Sequence, residues 1–404
     1  MKLCIVGGGT TGWWTAAYFE SQFPDWDISL YESDEIKIIG VGESTLPQIG
    51  IFLEECGLRD EDWMDAANAV VKYGNVKRHW HDENDDSDFD WTFWYNDNNE
   101  FDEWLPKYLA GNKTKQDLRK DLYRSNERRA TGYHMDANLA GIVVKKHCKR
   151  VKHFVQTLDK LPEGYDFYID CTGPARRFTI DKTVIKPEGH LVNAAWVRPA
   201  MLPENYEYNN MTVSIARPYG WQFQIVLQHR LGTGYVFNRH MLTPEQALID
   251  FVDYTKDLEP YNNMPPRYIE WEPEYLVNPW TDNVATIGFA SGWVDPLEAN
   301  SLYVAVYSIR TLARCLKRGL KPEAFNRSMR NIWRENCEFI WHHYALSKRN
   351  DTPFWQYYTQ QDATKSVWEN YQKRGNWETN FYSDSLYAML GLTFDEFTHY
   401  SPKK

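Results

Sequence analysis

A chain of 404 residues, 43% hydrophobic and 25% charged, has the composition of a water-soluble protein with two or three structural units around a substantial core. Its formal charge of −11 argues against a nucleic-acid partner, because phosphate binding needs a basic face; no apolar run approaches the roughly 18–20 residues of a membrane helix. Aromatic residues make up 16% of the chain, with 18 Trp and 26 Tyr, a surplus that suits flat-walled pockets or aromatic packing. The six cysteines are scattered without a CxxC pair, and the start MKLCIVGGG lacks a signal-peptide pattern, so a cytoplasmic protein with reduced thiols is expected. His79 with His81, and His342 with His343, have no second cluster at metal spacing, and no metal site is expected.

In chain order, the first element is an apolar strand, Lys2 to Val6, followed by Gly7-x-Gly9-x-x-Gly12 and a helix that ends before Pro24. A second strand from Asp27 to Tyr31 delivers Glu32, twenty residues after Gly12. This is the dinucleotide fingerprint in its proper setting. Gly7 makes the tight turn, and Gly9 lets backbone N–H groups at Thr10 and Thr11 approach a pyrophosphate. Gly12 packs helix on strand, and Glu32 accepts from ribose hydroxyls. Further on, "YDFYIDCTG" at 165–173 reads as a strand ending at Asp170 that returns to the first sheet. "NVATIGFASGWVDPLEANSLY" at 283–303 gives a strand, a glycine turn at Gly288 and the start of a long helix. That layout resembles two-domain flavin monooxygenases, a resemblance that implies FAD rather than NAD. The expected fold is α/β: an FAD-binding, Rossmann-like parallel sheet built from separated segments, a mixed or antiparallel substrate sheet, and a helical C-terminal part.

Several motifs narrow the reading. "GVGESTLP" (40–47), "WMDAANAVVKYG" (63–74), "HMDANL" (134–139), "GWQFQI" (220–225), "DPLEANSLY" (295–303) and "RNDTPFW" (349–355) occur in the order of, and closely resemble, the motifs of flavin-dependent tryptophan halogenases. The resemblance runs from Met1 to about Trp355, so residues 1–355 are expected to form the FAD-binding core and 356–404 a substrate-side segment. By that resemblance Lys72 and Glu298 are the catalytic pair, Trp221 and Phe223 line the tunnel beside the flavin, and Gly42, Glu43 and Ser44 shape the strap over it. The resemblance also places the halide at the amides of Asn300 and Ser301, at the start of the long helix, where free N–H groups favour an anion.

The sequence departs from the family in three places. The motif GWxWxIP reads Gly-Trp-Gln-Phe-Gln-Ile-Val at 220–226, the family's Glu-Ser-Thr-Gly reads Glu-Ala-Asn-Ser at 298–301, and the C-terminal region that clasps tryptophan is shortened. These changes are what we expect of a short member, of viral (phage) type. The resemblance then implies an enzyme that takes FADH2 from a separate flavin reductase and converts O2 and halide into hypohalous acid. It would halogenate an electron-rich aromatic other than free tryptophan, with bromide or iodide favoured over chloride. A homo-oligomer is compatible with the sequence. The rival readings are an FAD monooxygenase acting directly on its substrate and a flavin-binding interaction module. The acidic-aromatic run at 82–104 reads as a solvated loop.

Overall fold

Lys2–Val6 enters the protein as a strand with four of its five residues buried, because both of its neighbours are strands and both faces of the sheet are covered. In the computed structural model, which describes residues 1–35, 42–80, 91–94, 131–202, 210–261 and 264–361, this strand lies inside a six-stranded sheet. The order is Trp280–Thr281, Val284–Thr286, Phe167–Asp170, Lys2–Val6, Asp27–Glu32, Lys152–Val155, parallel throughout except at the Trp280–Thr281 edge. Strands far apart in sequence are therefore neighbours, as the separated apolar runs required. Of the acidic-aromatic run, only the backbone of strand Trp91–Trp94 is described; the tail from 362 onward lies outside the described residues.

A second sheet, of seven strands, lies beside the first. Its order is Arg267–Glu270, Ala194–Met201, Arg230–Phe237, Gly220–Val226, Met211–Arg217, Gly74–Arg78, Trp91–Trp94. It is antiparallel except where Gly74–Arg78 runs parallel to Met211–Arg217. Side chains alternate between its faces. One face carries Val76, Met211, Val213 and Ile215 in one cluster, and Tyr235 and Phe237, packed on Leu242 and on Phe251 of helix Pro244–Tyr254, in another. The opposite face carries Ala195, Val197, Thr212, Ser214, Trp221, Phe223, Ile225, Val236 and Ile269, all of which line an internal cavity. Gly234 makes this possible: a Cβ there would come within 2.5 Å of the Phe223 ring.

Two long helices, Asn300–Lys317 and Pro322–Ala345, pack on each other and on the core, and the first stops at Gly319, whose φ of +62° suits glycine. Helix Pro353–Thr359 spans the expected boundary at 355/356 and buries Trp355 and Tyr358 on either side of it. Among the described residues no helix is long and apolar enough to cross a membrane.

The fingerprint glycines have distinct jobs. Gly7 sits at φ +116°, and a Cβ there would lie 2.3 Å from the Cys171 carbonyl oxygen; a Cβ on Gly12 would lie 1.8 Å from the Gly7 carbonyl oxygen. Helix Thr10–Gln22 thus touches backbone directly at Gly12. Gly12→Ala is expected to lower unfolding free energy by about 3 kcal/mol, read as a shifted urea midpoint; an unchanged midpoint would mean the helix has room that the geometry denies it.

Candidate active site

The cavity has a volume of about 550 Å³ and is lined both by the fingerprint loop and by the inner face of the seven-stranded sheet. From the first half come Gly7, Gly9, Thr10, Thr11 and Glu32, the turn at Thr172 and Gly173, and Gly288 with Phe289. A Cβ on Gly9 would meet nothing within 4 Å, so the loop leaves open room where a pyrophosphate would need bare backbone. Gly288, at φ +70°, sits against the Thr11 side chain, 2.7 Å from where its own Cβ would be. Glu32 lies at the end of its strand, as the spacing predicted. Its carboxylate accepts from Lys145 at 2.6 Å and from Trp13 Nε1 at 3.2 Å, and His153 stands 2.7 Å away. Burial raises its pKa, but Lys145 and Trp13 outweigh that and hold it below the ordinary value, so it is ionised. These features fit an FAD: a glycine cradle, a helix N-terminus and a ribose-facing acid.

Two residues of the fingerprint reading, Asp170 and Gly12, stand behind the cavity wall. Asp170 does not line the cavity. It accepts from Thr172 N, Thr172 Oγ1, Phe178 N and Thr179 Oγ1 at 2.6–2.9 Å, and so pins the turn that does. Gly12 likewise supports the loop from behind. Gly42, Glu43 and Ser44 do line the cavity, and Glu43 accepts from Ala137 N at 3.0 Å, at the start of helix Ala137–His147.

The direct ion pair of Glu298 is with a different lysine from the one the resemblance singled out. Glu298 lines the cavity and its side chain is 2% exposed, but the lysine that forms its ion pair is Lys77, with a fully buried side chain. Asn75 Nδ2 donates to the other carboxylate oxygen at 2.7 Å, and His343 Nε2 lies 3.6 Å from Oε1. Lys72 instead donates to Ser44 Oγ at 2.6 Å and to the Thr45 carbonyl at 3.1 Å. Glu298 is still close enough for its charge to raise the Lys72 pKa, but the direct ion pair with Glu298 is made by Lys77. The reason is a change of sheet. Val70–Lys72 pairs with Gly132–Met135 in a small three-stranded sheet, the chain turns at Tyr73, and Gly74–Arg78 joins the seven-stranded sheet. In that strand Asn75 and Lys77 share one face, and Lys77 stands opposite Ser214, which lines the cavity. The resemblance of the 63–74 motif could not reveal this break. The alternation Asn75-Val76-Lys77, polar-apolar-polar, was the available signal.

Burial pushes the Glu298 carboxyl up, yet Lys77 and then His343 pull it well below the usual carboxylate range. Glu298 therefore stays ionised and is a poor base. Burial lowers Lys77, and Glu298 offsets part of that. Nearby, Asp295 accepts from Tyr344 Oη at 2.7 Å and from Leu297 N at 2.9 Å, and burial raises it to about 6. Glu298 and Ala299 both have left-handed backbone, φ +64° and +59°, immediately before helix Asn300–Lys317. Ser301 lines the cavity. Asn300 lies behind the wall, 1% exposed, and neither end of its amide side chain has a hydrogen-bond partner among the described residues. A buried, unpartnered amide at a helix N-terminus is a fit for a small anion. Trp221 and Phe223 line the cavity as expected, their ring centroids 6.2 Å apart. Among the described residues no group of three His, Cys, Asp or Glu is placed to hold a metal ion.

Because Gly9 opens onto the cavity, Gly9→Val is expected to fold with a wild-type melting temperature and to lose FAD binding; unchanged affinity in a flavin titration would refute the cradle. Lys72 gives a pH signature. Burial lowers it from 10.5 to about 7, so the unfolded chain holds a proton that the folded chain has released between those values. Stability then rises with pH across that window and is flat below it. The stability difference between wild type and Lys72→Met is expected to grow from pH 7 to 10, by up to about 1.4 kcal/mol per pH unit, in urea denaturation. A pH-independent difference would show that Lys72 is not held in this way.

The chain matches the tryptophan halogenase family over residues 2–150 and 133–393. It is 28% identical over 426 residues to tryptophan 6-halogenase SttH of Streptomyces toxytricini, covering 88% of this chain and 80% of that protein. The crystal structure of SttH superposes with a TM-score of 0.81 at 22% identity, over 97% of this chain and 89% of the other. The apo structure of VirX1 does so with a TM-score of 0.81 at 22% identity, over 100% and 92%. With a fingerprint cradle and Glu298 of a buried Lys–Glu pair on one cavity, and with this match across most of its length, the chain belongs to the flavin-dependent tryptophan halogenase family of enzymes.

Proposed function

We propose that the chain uses FADH2 from a separate flavin reductase, O2 and a halide ion to halogenate an electron-rich arene other than free tryptophan. The observation that carries this reading is the single cavity lined by both the dinucleotide cradle and Glu298 of the buried Lys77–Glu298 pair. The backbone at Gly9, Thr10 and Thr11 would hold the FAD pyrophosphate, Glu32 the ribose, and Gly42–Ser44 and Gly288 would flank the rest. Bound in its reduced form, the flavin supplies the oxidising equivalents, from O2, that convert halide into hypohalous acid.

Lys77 takes the role that the sequence assigned to Lys72. Its ammonium, held by Glu298, donates to the oxygen of hypohalous acid and polarises the O–halogen bond. The ring carbon gains the halogen and loses its proton, which leaves with the hydroxide as water. Glu298, ionised and engaged through both oxygens, orients Lys77 and stabilises the positive charge that develops on the ring. Trp221 and Phe223 narrow the path between the two regions.

Asn300 and Ser301 supply the halide site. Asn and Ser in place of Thr and Gly change its shape, and bromide or iodide, easier to oxidise and to desolvate, are favoured over chloride.

The test is a competition assay with regenerated FADH2, all three halides, and a panel of phenols, indoles and tryptophan, with products counted by mass. Simple arenes are expected to be halogenated at least as well as tryptophan, mainly with bromine or iodine. Lys77→Met is expected to bind FAD as wild type does and to lose product formation by at least about 100-fold. Regioselective chlorination of tryptophan with little activity on simple arenes, or near-normal turnover by Lys77→Met, would overturn the corresponding part of the assignment.

A further inference from the structure

Ser44 and Thr212 stand side by side on the cavity wall, their hydroxyl oxygens 2.7 Å apart. Ser44 Oγ receives a hydrogen bond from Lys72 Nζ at 2.6 Å. Thr212 Oγ1 lies 2.8 Å from His134 Nε2, and His134 Nδ1 lies 3.1 Å from the Val226 carbonyl oxygen. Four buried side chains from four strands thus form one line that ends on a backbone carbonyl.

The two ends of the line set the direction of its protons. A carbonyl can only accept, so His134 Nδ1 carries the imidazole proton. Burial, and then the nearby charge of Lys72, push His134 down to about 3, so the ring is neutral and Nε2 has only a lone pair to offer. Thr212 therefore donates to Nε2. Its single proton is then committed, so Ser44 donates to Thr212. Lys72, which has an N–H to donate as ammonium or as amine, therefore meets a lone pair of Ser44. Each hydroxyl passes its proton along the line, accepts one hydrogen bond, and keeps one lone pair. Neither has a proton left for the cavity.

We propose that His134 and Lys72 are positioning residues that hold Ser44 and Thr212 as hydrogen-bond acceptors toward the cavity, so that this wall selects a ligand edge bearing N–H. The proposal rests on the flavin reading of the cavity and adds a preference to it. A reduced isoalloxazine ring carries N–H where the oxidised ring has a bare nitrogen. A wall of acceptors favours the first and, offering no donor, leaves the second unmatched. The lysine singled out by its sequence context thus acts through Ser44 rather than at the substrate.

The experiment measures dissociation constants for oxidised FAD, and for FAD reduced under anaerobic conditions, by titration of the full chain. Wild type is expected to bind the reduced form more tightly. Thr212→Val removes one acceptor, and His134→Phe frees the Thr212 proton to turn toward the cavity. Each is expected to lower the oxidised-to-reduced ratio of the two constants by several-fold, up to about tenfold. Lys72→Met, which removes the donor end, is expected to shift the ratio in the same direction. Thr212→Val is nearly isosteric and decides the matter should His134→Phe not fold. Equal affinities in wild type, or a ratio unchanged in Thr212→Val, would overturn the proposal and leave the cofactor assignment standing. A wild-type chain that binds neither form would overturn both.

Discussion

The Lys77–Glu298 ion pair ties the two halves of this protein together. Lys77 comes from the seven-stranded sheet, and Glu298 from the turn that leads into helix Asn300–Lys317, which packs on helix Thr10–Gln22 of the dinucleotide half. Taking both charges out of water costs several kcal/mol per ion, and their attraction offsets that only when the remaining lone pairs are matched. Here they are: Asn75 occupies the second carboxylate oxygen, and His343 stands close to the first. A pair of this kind is poor evidence for stability. It is better understood as holding a fixed charge at one place beside the cavity. The left-handed backbone at Glu298 and Ala299, each costing on the order of 1 kcal/mol or more, is strain of the sort that collects at functional sites.

The aromatic surplus has a similar explanation. Trp271, Trp293 and Phe289, all on the cavity wall, form a stack with centroid separations of 4.9 and 4.5 Å and nearly parallel planes. Trp221 and Phe223 lie on the sheet face. Large, stiff rings lose little side-chain entropy when ordered and give a wall that does not collapse when empty. Further rings, Tyr344, Trp355 and Tyr358, are buried off the cavity wall, packed on one another and on Trp80 and Phe354, and serve the core. Composition could not separate the two uses, because the difference lies in which face of a strand or helix each ring occupies.

What the sequence by itself determined was local and periodic. The fingerprint from Lys2 to Glu32 was legible because strand, glycine turn, helix and acid are contiguous and each has its own spacing rule. The long helix after Glu298 was legible from its apolar stripe and its glycine stop. What only the tertiary structure decided were contacts between residues far apart in the chain. Lys72 and Lys77 are five residues apart and both fully buried, yet a turn at Tyr73 sends one strand into a three-stranded sheet and the next into a seven-stranded one. The same turn gives one lysine a carboxylate as partner and the other a serine. Asp170, at the end of its strand, accepts from Thr172, Phe178 and Thr179 and pins the turn at the cavity wall, a set of neighbours that its strand pattern did not reveal. Sequence patterns fix which residues form each strand; the choice of neighbouring strand depends on long-range pairing, and that choice decided which lysine meets Glu298.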